Sequence, residues 1–383
     1  MKKFFAMAAF AALTMAGMTS CSNDDAIETG AMPNSSIQKD GAIGFNITQD
    51  GAIGTRGTAT TSLNYLSQIS DFQVIGFYSD GTGRYVGSAD NVGTIIDQIA
   101  GPAWDYRTAT QKQYWPTGKN LDFQAITPAE DASFTLANTP DANSPRLTAN
   151  VTVPATVADQ KDIMFASALG VNNATSGSPV DLTFKHALSQ VVFSGKVAST
   201  NITAVVSEIE VCNIHNTGNV GYRAAVGTLS AAATGSANAS FQAGLLADAA
   251  DRTMTTTEAK NLTATDGALM MIPQEQTAWT HAAPEKAIAE ATGSYLRIKC
   301  TVTDNTSSTV LIDNEDVYIP FDLATANSKN WELGKKYTYT LIFGNGTGGY
   351  DENGDPLTNL VPITYTVSAA EDWTPVDGGE VAF

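Results

Sequence analysis

The chain has 383 residues, 43% hydrophobic and 16% charged, with 32 glycines, which is long enough for two or three domains and apolar enough for real cores. Lys and Arg number 21 against 39 Asp and Glu, a net charge of −18; a phosphate backbone demands a basic face, so nucleic acid is excluded as a partner. Three His and three Cys leave little material for metal or nucleophile chemistry, and a Thr-rich, Gly-rich, weakly charged composition fits an extracellular β protein.

In chain order, Lys2 and Lys3 precede an uncharged apolar run from Phe4 to Met18. As a helix that run would reach roughly 22 Å, short of the ~30 Å of a bilayer's hydrocarbon core. It therefore reads as a signal peptide over residues 1–20 and not as an anchor. Thr19 and Ser20 then place small residues directly before Cys21, a pattern that resembles a relaxed bacterial lipobox, in which the cysteine is lipidated and becomes the mature N-terminus. The acidic cluster Ser22-Asn23-Asp24-Asp25 resembles a surface-export tag, and residues 22–42 read as a polar tether. No later apolar run is long enough to span a membrane.

A first strand is expected over 43–48, where Ile43, Phe45 and Ile47 share one face. It is followed by a Gly-rich stretch around Arg56, the first arginine of the chain, with Gly54 and Gly57 close beside it. Exposed, flexible backbone of this kind is what a protease cleft accepts. Further alternating runs predict strands over 72–78, 121–126, 147–153, 180–184, 188–197, 205–214, 268–272, 295–302, 317–321, 337–343 and 361–367. Helical spacing is confined to 63–69 and 285–291. The polar segment 172–179 is the best interdomain seam. Many short strands between turns argue for tandem β-sandwich domains, 57–176 and 177–383.

Chemical motifs are scarce. Gly344-x-Gly346-x-x-Gly349 matches a dinucleotide fingerprint, but Tyr350 to Pro356 cannot open the helix that would hold pyrophosphate. Asp351, Asn353 and Asp355 alternate as in a calcium loop, yet Pro356 stands where the turn needs Gly and Pro362 where it needs Glu. His186 shares the parity of Val180, Leu182 and Phe184 and reads as a hydrogen-bonded core histidine. Alternation turns Cys300 inward and Cys212 outward, with Val205, Ile209 and Val211 sharing one face of their strand, and leaves open whether the two cysteines pair. No cofactor and no metal are expected.

The ordered set of a lipoprotein signal, a strand followed by Thr55-Arg56, Asp162-Ile163-Met164-Phe165-Ala166, His186-Ala187-Leu188-Ser189-x-Val191-x-Phe193, Met271-Ile272-Pro273-Gln274, Trp331-x-Leu333-Gly334-Lys335-x-Tyr337-x-Tyr339-Thr340, and Trp373 resembles the fimbrillin family of pilus subunits. The resemblance runs over essentially the whole chain. It implies an all-β chain of two transthyretin-like Greek-key β-sandwich domains in tandem and a structural rather than enzymatic role. It also implies export as a lipoprotein to the outer membrane and cleavage by an arginine-specific protease, here after Arg56, which makes 21–56 a lipidated propeptide. Removal of the first strand would open a groove, and a strand from another pilin subunit, the same or different, would fill it. The candidate donor is 359–383, with Ile363, Tyr365 and Val367 on one face; a host or bacterial surface ligand would be the target of adhesion. Gly57 directly after Arg56 departs from a well-formed cleavage site. An alternative reading is a surface glycan-binding lipoprotein, using aromatic loops at Trp104 and Tyr106 or at Tyr114 and Trp115; a secreted hydrolase is a third. Lipidation is open to a direct check: Cys21→Ser should leave an unlipidated precursor that no longer partitions with membranes on fractionation.

Overall fold

The computed structural model describes residues 42–49, 69–87, 93–100, 103–132, 134–136, 147–172, 179–225, 227–279, 292–324, 329–345, 348–357, 362–368 and 371–372. Cys21, Arg56, the expected helices at 63–69 (save Ile69) and 285–291, and the centre of the expected seam lie outside them. As expected, the chain is almost entirely β, with only two single-turn 3-10 helices among the described residues.

The largest sheet has eight strands. Its spatial order is Phe45–Gln49, Val180–His186, Met164–Val171, Leu121–Thr127, Asp71–Tyr78, Thr94–Ala100 and Ala103–Tyr106, with Arg84–Val86 also on Asp71–Tyr78. The sheet curls until its two terminal strands approach: the Phe45 and Tyr106 rings lie 6.4 Å apart, and Tyr106 Oη donates to Ile43 O at 2.9 Å. Inside the curl, Ile43, Phe45, Ile47, Phe72, Val74, Trp104, Phe123, Leu182 and Phe184 form one core. The alternate residues of the central strands, Ile75, Phe77, Ile126 and Phe165, face the other way into a second core. Strands buried on both faces read as nearly continuous apolar runs, which is what Phe72 to Phe77 shows.

A four-stranded sheet, Thr228–Thr234, Thr217–Ala225, Thr148–Thr152 and Phe134–Leu136, contributes Ala149, Val151 and Val220 to that second core. Here the chains approach closely at Gly221 (φ 128°), where a Cβ would sit 2.3 Å from Leu147 O. The remainder of the second core fills the space between two C-terminal sheets. One has Ser189–Val197 parallel to Lys335–Phe343, which in turn pairs antiparallel with Ile363–Val367; the other has Ala239–Gln242, Ile202–Ile214, Tyr295–Asp304 and Thr309–Pro320. Trp331, wholly buried between them, donates its indole N–H to Tyr339 Oη at 2.9 Å.

Two sheets draw on both sides of the expected seam. Val180–His186 completes the eight-stranded sheet, and Thr217–Ala225 pairs with Thr148–Thr152. The expected parity of Val205 also fails: the register of Ile202–Ile214 shifts between Val206 and Glu208, so Ala204 and Val206 point inward before the shift and Ile209 and Val211 after it. A bulge inserts one residue and resets a strand's alternation. Cys212, expected outward, is 1% exposed, covered beside Tyr295 and Glu210, and both Cys212 and Cys300 are free thiols.

Burial pushes both thiols from 9.0 up to about 12. In the native chain they stay protonated while the unfolded thiols ionise, so the unfolded state binds fewer protons at alkaline pH. Stability measured by denaturant titration should therefore fall as pH rises above about 9. A Cys212→Ala, Cys300→Ala double variant should show a shallower fall.

Candidate assembly site

The strand Phe45–Gln49 and the residues just before it are built into the molecule on every side. Ile43, Phe45 and Ile47 are 0%, 1% and 3% exposed. The Phe45 ring meets Phe72 and Phe123 edge-on, with centroids 5.8 and 5.7 Å away. On one flank the strand runs parallel to Val180–His186, Phe45 opposite Val180 and Ile47 opposite Leu182; the Val180 amide donates to Gly44 O at 2.8 Å, and Asn46 Nδ2 donates to Asp181 Oδ1 at 2.9 Å. On the other flank, Ile43 N–H donates to Gln113 O at 2.8 Å and Tyr106 Oη caps Ile43 O. Withdrawing this one strand would expose three apolar contact sites and a row of backbone groups together.

Sequence reasoning found the strand but missed the residues that receive it. Trp104 and Tyr106, read as an exposed aromatic loop for glycan, are 1% and 6% exposed. They alternate along the short strand Ala103–Tyr106, and Trp104 packs against Phe72 with centroids 5.3 Å apart. Trp115 is half-buried edge-on against Phe123; only Tyr114 of that second loop stands out, 51% exposed. A four-residue strand between turns gives too short an alternation to be told from a loop. His186 is in the core, as expected, 7% exposed with Nδ1 2.7 Å from Asp162 Oδ2. The calcium-like loop uses its carboxylate locally: Asp351 Oδ1 accepts from the amides of Asn353 and Asp355, both at 2.9 Å. Among the described residues no three His, Cys, Asp or Glu side chains gather as a metal site would require.

The expected donor residues are seated in their own chain. Ile363–Val367 is the terminal strand of its sheet, with Ile363 opposite Phe343, Tyr365 opposite Leu341 and Val367 opposite Tyr339. Ile363 is fully buried; Tyr365 and Val367 are partly buried, and the Tyr365 ring lies 5.5 Å from that of Tyr339. The two strands carry the same apolar triplet at alternate positions: Ile43, Phe45, Ile47 in one and Ile363, Tyr365, Val367 in the other. Each is aliphatic, aromatic, aliphatic, a pattern that reads the same in either chain direction.

A profile of the fimbrillin-like family matches residues 55–373. The chain belongs to the fimbrillin-like family. Among solved structures, this fimbrillin-like chain is similar to a fimbrial protein from Bacteroides vulgatus, at 16% identity and TM-score 0.54, over 87% of this chain and 99% of that one. It also matches a protein assigned to cell adhesion from Bacteroides uniformis, at 15% identity and TM-score 0.47, over 88% of this chain and 99% of that one. A third match is the tip fimbrial protein Mfa3 of Porphyromonas gingivalis, at 11% identity and TM-score 0.38, over 80% and 95%. No curated relative matches the chain. Fimbrillin-like proteins are fimbrial structural and adhesion proteins, not known for catalysis, and the family places this chain in a surface fimbrium. Among the described residues no helix is long and apolar enough to cross a membrane.

Phe45→Ala should lower the stability of the uncleaved chain by about 3–5 kcal/mol, the usual loss for truncating a buried Phe, as read from guanidinium denaturation. Because Asn46 is half-buried on the other side of the strand, Asn46→Ala should cost only about 1 kcal/mol.

Proposed function

We propose that this fimbrillin-like chain is a non-enzymatic pilus subunit, exported as a lipoprotein on Cys21, cut after Arg56, and polymerised by donor-strand exchange with other pilin subunits. The observation that carries the proposal is the seating of Ile43, Phe45 and Ile47: a strand that fills a core completely and belongs to the segment ahead of Arg56. A cut after Arg56 leaves that strand held by non-covalent contacts alone. Once it departs, each unpaired buried N–H or C=O costs on the order of 1–3 kcal/mol, and an incoming strand restores both hydrogen bonds and apolar contacts. Ile363, Tyr365 and Val367 are the proposed donor triplet, matched position for position to the triplet they would replace. Donation requires Ile363–Val367 to leave its own sheet, so the groove must recover what Ile363 loses there.

In this reading the partners are copies of this chain or other pilins, an arginine-specific protease, and the outer membrane through lipid on the precursor; adhesion to a host or bacterial surface ligand is the pilus's task. On the same reading the chain is two tandem transthyretin-like sandwiches, 57–176 and 177–383, after the propeptide.

Limited trypsin on the folded precursor should cut first after Arg56, as read by N-terminal sequencing. The cleaved chain should then form ladders on non-boiled gels, whereas the uncleaved chain and cleaved chain truncated before Asn359 should form none. First cuts elsewhere, for example at Arg146 or Arg223, would remove the propeptide basis; ladders from the truncated chain would show that the C-terminal segment is not the donor.

A further inference from the structure

Every sheet that ends in a free strand offers unpaired backbone to other chains, and folded proteins guard such edges with charge, proline, shortness or a covering loop. The terminal strands here differ sharply in that respect. Thr309–Pro320 carries Asp313, Glu315, Asp316 and Pro320 and is bridged by Tyr350, whose N–H and C=O both pair with Tyr318 at 2.9 and 3.0 Å. Lys260–Asn261 is two residues long and charged, and Phe134–Leu136 has three residues. Ile363–Val367 follows Pro362 and turns Ile363 N–H to Gly348 O.

Among the described residues, Thr228–Thr234 has none of these guards. It is seven residues long, ends the four-stranded sheet, and pairs only with Thr217–Ala225 among the described residues. No charged residue occurs between Arg223 and Asp248. Leu229, Ala231 and Ala233 rest partly buried on the core, so Ser230 and Ala232 face outward. Among the described residues, the side-chain hydrogen bonds onto the strand's own backbone are those of Thr217 Oγ1 and His215 Nδ1 to Thr234 O, at its far end. Beside its start stands Leu169, 46% exposed and so close that a Cβ on Gly227 would come within 2.9 Å of it.

We propose that Thr228–Thr234 is a pairing edge for a second copy of this chain, antiparallel to itself about a two-fold axis through Ala231, which joins two four-stranded sheets into one of eight. The net charge of −18 makes copies repel over most of their surface, so contact between like molecules is cheapest where charge is absent, and this edge is such a place. In that register Ala231 faces Ala231, Ser230 faces Ala232 and Leu229 faces Ala233, small or apolar pairs that two backbones can approach without clash. The contact is isologous and closes at two copies, whereas strand donation is head to tail and open-ended; the two are independent, and together they would tie filaments side by side.

The test uses the uncleaved chain, in which strand donation is off. Sedimentation velocity should show a concentration-dependent dimer, weakened at least tenfold by Ala232→Lys and unchanged by Val310→Lys on the guarded edge. Directly opposed residues in an antiparallel pair have Cα atoms about 4.5–5.5 Å apart, within disulfide reach. In a Cys21→Ser background, Ala231→Cys should therefore give a covalent dimer under mild oxidation and Val310→Cys should not, with Cys212 and Cys300 too buried to contribute. A monomer at all concentrations, equal effects of the two lysines, or equal cross-linking of the two cysteines would overturn the proposal. Should Ala232→Lys fail to fold by circular dichroism, the cysteine pair decides alone. Ladders from cleaved Ala232→Lys chain would show strand donation intact while edge pairing is lost.

Discussion

The first strand of the eight-stranded sheet supplies two different things at the same place. Phe45–Gln49 closes the backbone ladder of Val180–His186, and the row Ile43, Phe45, Ile47 fills the hollow of the curled sheet. Neither water nor a side chain can substitute for both. The rest of the eight-stranded sheet is arranged around that double demand: Phe72 and Phe123 present ring edges to Phe45, and Tyr106 comes from the far end of the sheet to satisfy Ile43 O.

The second core obeys the same constraint with a different margin. Ile363–Val367 has a neighbour on one side only, and two of its three apolar residues are partly buried. Trp331, Tyr339 and Phe321 form the stable interior behind it, with the Phe321 ring edge-on to both others. Both strands end their sheets, but Ile43, Phe45 and Ile47 are all buried, whereas Tyr365 and Val367 are only partly so.

Much of this was legible in the sequence where alternation ran long enough. Asp71–Tyr78, Leu121–Thr127, Val180–His186 and Lys335–Phe343 announce themselves by apolar rows, and the first strand by Ile43, Phe45 and Ile47. Thr217–Ala225 and Thr228–Thr234 did not, because Gly, Ala, Ser and Thr give no contrast between faces; Gly221 is there for a close approach to Leu147 that no local pattern encodes. The bulge near Ser207 inverted the parity of half a strand. Trp104 and Tyr106 were misread as exposed because what buries them, Phe72 and the first strand, is distant in sequence. The family segments, above all His186 to Phe193 and Trp331 to Thr340, carried information that physical pattern alone did not.

The parallel pairing of the first strand also bears on the order in which the chain acquires its shape. Asn46 bonds Asp181 across 135 positions of sequence, so this contact is among the most non-local in the molecule. Closing so large a loop costs entropy before any contact repays it. Val180–His186 must itself be in place to receive the strand, and it emerges from the ribosome long after residue 45. The strand that is synthesised first therefore closes its ladder only after a partner 135 positions later has been made. Substitutions at Ile43, Phe45 or Ile47 thus bear on the rate at which the sheet closes as much as on the strength of the final fit.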